Sequence, residues 1–157
     1  MKIWKIEGAA LMVGASVLAL GSAVVARAQS AEQTVWTGIY TAEQADRGKI
    51  AYAESCAACH GEGLAGIDVA PALTGAGFLN NWNNTSAGDL FTRIKTTMPL
   101  SAPDSLSGRT VADVEAYLFQ ANGFPAGQVA LPPSAPMMAG AKIIAQKPAG
   151  AVPAASN

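Results

Sequence analysis

The sequence predicts an all-α body in which three main helices are joined by long loops. Three observations carry that prediction. Three stretches place apolar residues at helical spacing behind a side chain suited to capping. The longest connection between them, GEGLAGIDVAPALTGAGFLNNWNN, is rich in Gly, Asn and Pro and reads mostly as loop. No stretch of useful length alternates apolar and polar residues as a half-buried strand would.

The first helix is expected from YTAEQADRGKIAYAESCAACH. Thr41 with Gln44 fits a capping box, in which each side chain satisfies a free N–H at the helix start. Ala45, Gly48 and Tyr52 fall at i, i+3 and i+7 and make one buried stripe. A glycine in that stripe costs helix propensity unless another helix must come close. The second helix is SAGDLFTRIKTTM. Ser86 and Asp89 repeat the capping pattern, Leu90, Phe91 and Ile94 supply the apolar face, and Pro99 marks the limit. The third is SGRTVADVEAYLFQANGFP, with Ser107 as N-cap and Val111, Val114, Tyr117 and Leu118 on its apolar face. Gly123 and Pro125 stop it.

The two ends of the chain have other compositions. MKIWK is basic, Gly8 to Ala26 carries no charge over 19 residues, and Ala26-Arg27-Ala28 places small side chains at cleavage positions. Residues 1–28 are therefore expected to be a secretory signal peptide. The alternative is an uncleaved anchor to the inner membrane, since 19 residues just suffice to span a bilayer. Residues 29–127 then form the folded domain, and 128–157 a Pro/Ala-rich C-terminal tail that holds five of the nine prolines, with a sixth, Pro125, just before it. AGAKIIAQKP within that tail is too short and too near prolines to be a helix. Of ten basic and eleven acidic side chains, the leader removes Lys2, Lys5, Arg27 and Glu7, which leaves a net charge of −3. That balance argues against nucleic acid or anionic membrane surfaces as partners.

Chemistry concentrates in ESCAACHGEG, which holds both cysteines, Cys56 and Cys59, and the only histidine, His60. Zinc requires four ligands, usually in pairs of Cys and His, and no second pair exists. A dithiol redox motif begins a helix after a strand, whereas these cysteines close a helical pattern. A plain disulfide suits an exported chain but leaves His60 without a role. Covalent attachment of one haem explains all three residues: both cysteines form thioethers and His60 reaches the iron. With no second imidazole, the other axial ligand falls to a thioether, a soft ligand that raises the reduction potential. Without the leader the candidates are Met98, Met137 and Met138. Met98 ends the second helix beside Pro99, where the chain must turn into a loop, and is favoured. Without a haem it would be an ordinary core methionine.

From about Trp36 to Gly127 the chain resembles the class I c-type cytochromes. It is most similar to the small monohaem cytochromes that bacteria use beside quinoprotein dehydrogenases. CAACH, APAL at Ala70–Leu73, TTMP ending at Pro99, and VADVEAYL before ANGFPAG carry the likeness in that order. The resemblance implies the cytochrome c fold around one covalent haem c, with His60 and Met98 on the iron. It further implies that the Pro71 carbonyl holds the free ring nitrogen of His60, that Leu73 packs on the porphyrin, and that Gly48 and Tyr52 cross the third helix near Tyr117. Trp82 and its neighbours Asn80, Asn81 and Asn83 are expected near a haem propionate, or else form a polar loop around one tryptophan.

The function so implied is single-electron transfer in the periplasm between a dehydrogenase and a respiratory acceptor, an oxidase or another cytochrome. Such a carrier has no small-molecule substrate and catalyses no reaction of its own. Two alternatives stand beside it. One is a haem protein with an open distal site, peroxidase-like or gas-sensing, for which Arg93 is the nearest strong donor to Met98. The other is a cytochrome subunit bound permanently to a quinoprotein dehydrogenase. The mature chain keeps only Lys49, Lys95, Lys142 and Lys147, so the docking surface, around Ala57, Ala58 and Gly61, is expected to be largely uncharged.

Overall fold

The computed structural model describes Met1 and residues 32–149. The leader and the cleavage site expected over 1–28 lie outside the described residues, Met1 apart. Among the described residues the architecture is six α-helices and one 3-10 turn, with isolated bridges in place of strands. No described helix is long and apolar enough to cross a membrane.

Helix α1 spans Ala42–Ser55. Thr41 caps it by accepting from the Gln44 N–H at 3.2 Å. The return half of the expected capping box is absent, because the Gln44 amide is used elsewhere. It donates to the Leu131 carbonyl at 3.1 Å and accepts from the Leu131 N–H at 2.8 Å, clamping a distant segment onto α1. The run expected as one helix through His60 breaks at Cys56 (φ −127°, ψ −34°) and resumes as α2, Ala57–His60.

Helix α3, Gly75–Trp82, lies inside the stretch expected to be mostly loop. Two glycines and two asparagines dilute its helical signal, and burial of Phe78 at 0% exposure holds it down. Helix α4, Ala87–Thr97, begins with the expected capping box complete. Ser86 accepts from the Asp89 N–H at 3.1 Å, and the Asp89 carboxylate accepts from the Ser86 N–H at 2.9 Å. Helix α5, Gly108–Ala121, is capped by Ser107, which accepts from the Thr110 N–H at 3.1 Å. It ends at Asn122 and at Gly123 in the left-handed region (φ +79°).

The helices α1 and α5 form the main pair of the core. They meet at Gly48, where a Cβ would collide with the Asp113 carbonyl and touch the Tyr117 side chain. The Tyr52 and Tyr117 rings pack 5.4 Å apart at the same crossing. Arg47 and Asp113 join the helices at the surface, with N–O distances of 3.0 and 2.9 Å. This is the close approach that the glycine in the buried stripe required.

After Gly127 the chain folds back over this pair as a strap. Leu131, Met138, Ala141 and Ile143 are buried in the same core as α1, α4 and α5. A short helix α6, Ala135–Met138, packs on α4, where Gly88 leaves room for the Ala135 carbonyl. Beyond it Lys142 bridges two segments at once. Its carbonyl accepts from Val35 at 2.9 Å and its N–H donates to Gln33 at 2.8 Å. Ile143 exchanges bonds with Asn84 and Thr85 at 2.8 and 2.9 Å just ahead of α4. No helix forms over 141–149.

Candidate functional site

A cavity of about 1230 Å³ opens between α2, the loop 67–73, α4 and α5. Leu90 and Ile94 of α4 and Val114 and Leu118 of α5 give it an apolar wall. Cys56, Cys59 and His60 stand on one part of its lining and Met98 on another. Pro71, Leu73 and Trp82 line it as well, so the thiols, the imidazole, the favoured methionine and these three residues reach one space.

The break between α1 and α2 sets the cysteines. Cys56 ends one helix, Cys59 lies in the next short one, and neither is in a disulfide. Burial, and then the nearby Cys59 thiol, pushes the Cys56 thiol above its ordinary value. A metal-binding group of three or more Cys, His, Asp or Glu does not form among the described residues.

His60 is only 8% exposed, and its Nδ1 lies 2.9 Å from the Pro71 carbonyl oxygen. A carbonyl only accepts, so Nδ1 carries the proton and Nε2 keeps its lone pair. Gly66 makes this contact possible. It sits at φ +79°, and a Cβ there would fall 2.8 Å from the Ala72 nitrogen and 2.9 Å from the Pro71 carbonyl carbon. Its own N–H donates to the His60 carbonyl at 2.9 Å, folding the loop back on α2. Tyr52, its hydroxyl pushed up to about 12 by burial and then by Cys56 and Tyr117, donates to Gly61 at 2.7 Å. Leu73 is held by Asn122, whose amide donates to its carbonyl at 2.9 Å.

The polar neighbours of Trp82 divide. Asn81 and Trp82 line the cavity. Asn81 donates to Gly77 within its own helix at 2.9 Å, and Asn83 accepts from Ala145 of the strap at 2.8 Å. Neither Asn80 nor Asn83 lines the cavity, so of the four residues weighed for a propionate only Asn81 and Trp82 reach it. Arg93, weighed in the sequence only as a donor near Met98, joins them on the lining. Met137 and Met138 line a separate notch of about 200 Å³ beneath the strap.

Residues 43–118 match the family model of cytochrome c oxidase, cbb3-type, subunit III. The match runs from α1 through the cysteine–histidine segment to the cavity wall of α5. That match supports a class I c-type cytochrome domain over those residues. None of the curated proteins matches this cytochrome. Among solved structures, the sulfane dehydrogenase SoxCD from Paracoccus pantotrophus aligns with a TM-score of 0.41 at 21% identity. That alignment covers 57% of the cytochrome and 52% of the SoxCD chain, about half its length.

A cytochrome c domain implies haem c as cofactor and electron transfer as its use. The residues present suit that group. Two unpaired thiols border an apolar cavity beside an imidazole whose outward nitrogen is free, and a thioether lines the same space. Arg93 and Trp82, both on the lining, carry N–H donors of the kind that bind carboxylates.

Proposed function

We propose that this cytochrome is a periplasmic single-electron carrier between a dehydrogenase and a respiratory acceptor, with one haem c held by Cys56 and Cys59 and ligated by His60 and Met98. Haem c supplies a one-electron Fe(III)/Fe(II) couple. The observation that carries the reading is the sorting of the methionines: Met98 shares the cavity of His60, whereas Met137 and Met138 line the notch on the strap side.

Each residue has a task in that arrangement. The thiols of Cys56 and Cys59 would hold the ring as thioethers, each S–H adding across a vinyl group. The Pro71 carbonyl fixes the tautomer and orientation of His60 and makes Nε2 a stronger base, as partners of metal-bound imidazoles do. The Met98 thioether, a soft ligand, favours Fe(II) and raises the potential. Leu90, Ile94, Val114 and Leu118 keep water from the ring, which adds to the same effect. The leader expected at residues 1–28 supports export to the compartment where covalent haem is attached.

Optical spectra of Met98→Ala, Met137→Ala and Met138→Ala beside wild type test the ligand. The sulfur–iron charge-transfer band of the low-spin wild type is expected to vanish in Met98→Ala alone. Its survival there, with loss in either other variant, would move the ligand to the strap.

A further inference from the structure

Glu115 is a buried carboxyl that takes no part in the haem site. It is 0% exposed, and its two carboxyl oxygens are the only buried side-chain polar atoms among the described residues without a hydrogen-bond partner. Ala112 and Phe119, one turn away on either side along the same face of α5, are buried too. A carboxyl so placed is costly in either form and far more costly as an anion.

No cation on a packed element compensates it. On α1, Arg47 is bound to Asp113, and Glu43, Asp46, Lys49 and Glu54 are exposed. On α4, Asp89 caps Ser86, Lys95 pairs with Asp104, and Arg93 is exposed at the cavity. The short α6 carries no charge, and Lys142 of the strap lies toward Asp89. On α5 itself Arg109 is exposed, Asp113 is held by Arg47 and Tyr117 packs on Tyr52. Tyr52 donates to the Gly61 carbonyl, Tyr40 donates to the Phe124 carbonyl and His60 Nδ1 meets the Pro71 carbonyl. Desolvation alone therefore acts on Glu115, pushing its carboxyl well above the usual range.

The position along α5 gives this group a consequence. Its neighbour Val114 and, three residues on, Leu118 both line the cavity. Glu115 thus stands within one helical turn, about 5.4 Å along the axis, of the cavity wall. We propose that Glu115 is a redox-linked proton site, binding a proton when the haem in the adjoining cavity is reduced and releasing it on oxidation. The inference rests on the haem-site reading above.

Reduction removes one positive charge from the iron, and the apolar interior between screens that change little. The ferric state favours the Glu115 carboxylate and the ferrous state its acid, so the carboxyl titrates at a higher pH in the reduced protein. One electron from the redox partner and one proton from solvent enter together: Fe(III) becomes Fe(II) and the carboxylate becomes a carboxylic acid. Oxidation returns both. The potential accordingly falls with rising pH between the two titration points and is flat outside them, with a limiting slope of tenfold per pH unit, about 59 mV.

The test is a redox titration of the full haem-loaded protein across about pH 5 to 9, wild type beside Glu115→Gln. The glutamine copies the protonated acid in size and charge. The wild-type potential is expected to fall with pH, and the variant is expected to lose that slope. A flat wild type, or a slope that persists in Glu115→Gln, overturns the proposal. If the variant does not fold, the redox-induced infrared difference spectrum of wild type decides. A protonated-carboxyl band appearing on reduction supports the proposal, and its absence overturns it. Visible spectra of the same samples separate the two readings. A normal haem spectrum with a flat potential overturns the proton site alone, whereas a protein without covalent haem overturns both.

Discussion

Gly48 of α1 lies against the backbone carbonyl of Asp113 in α5, with no space between them for a side chain. In an isolated helix, alanine in place of glycine would gain up to about 1 kcal/mol. Here the added methyl meets backbone, which cannot rotate away. The clash wins, and Gly48→Ala is expected to destabilise the protein by about 1–3 kcal/mol net. The shift in the denaturant midpoint of the haem-loaded protein measures it.

The three methionines separate packing from ligation. Met138 is 1% exposed and Met137 is 71% exposed. Met138→Ala is expected to cost about 2–5 kcal/mol of stability while leaving the spectrum unchanged. Met137→Ala should stay within about 0.5 kcal/mol of wild type. Thermal unfolding followed at the haem band reads stability and ligation in one experiment.

The cap of α4 gives a pH dependence. The Ser86 N–H and hydroxyl bond the Asp89 carboxylate and hold it below its usual range. A carboxyl lowered on folding contributes its full stability above the unfolded value, about 3.9, and loses it as pH falls through the folded one. Ser86→Ala should therefore cost about 0.5–2 kcal/mol at neutral pH, and the difference from wild type should shrink in acid. Urea titrations at pH 7 and about pH 3 compare the two.

Salt should matter little to electron transfer. No lysine lines the cavity, and its charged lining residues Glu54, Asp68 and Arg93 nearly cancel. Ile67, Val69 and Leu100 on the same lining are exposed apolar side chains. Lys95 is occupied with Asp104. Encounter through such a surface gains little from long-range attraction, so the second-order rate with the physiological partner is expected to change less than about threefold between low and high ionic strength. Stopped-flow reduction across a salt series would show otherwise by a steep fall.

The residues that gather at the cavity were legible because they sit in one short segment or at helix ends. Cys56, Cys59 and His60 are adjacent, and Met98 follows a capped helix, so local pattern sufficed. The missed parts depend on contacts distant in sequence. Gln44 has the spacing of a capping partner, but Leu131, 87 residues away, takes its amide. Asn83 has the chemistry of a propionate partner, but Ala145 takes its oxygen. Helix α3 stays hidden because GAGFLNNW has weak propensity and forms through the burial of Phe78. Glu115 stands on the apolar stripe of α5 as a charged letter, a local conflict of the kind that marks a functional or strained position.

Gln33, Lys142 and Ile143 are stitched together ahead of α4, and none of the three lines the haem cavity. The strap stays bonded to the body through Ala145, so a linker, purification handle or neighbouring domain fused before Gln33 or beyond Ala145 would join it on this side. The protein is built like an instrument with its handle apart from its working edge: it can be tethered by both ends while the edge stays free to meet its partners.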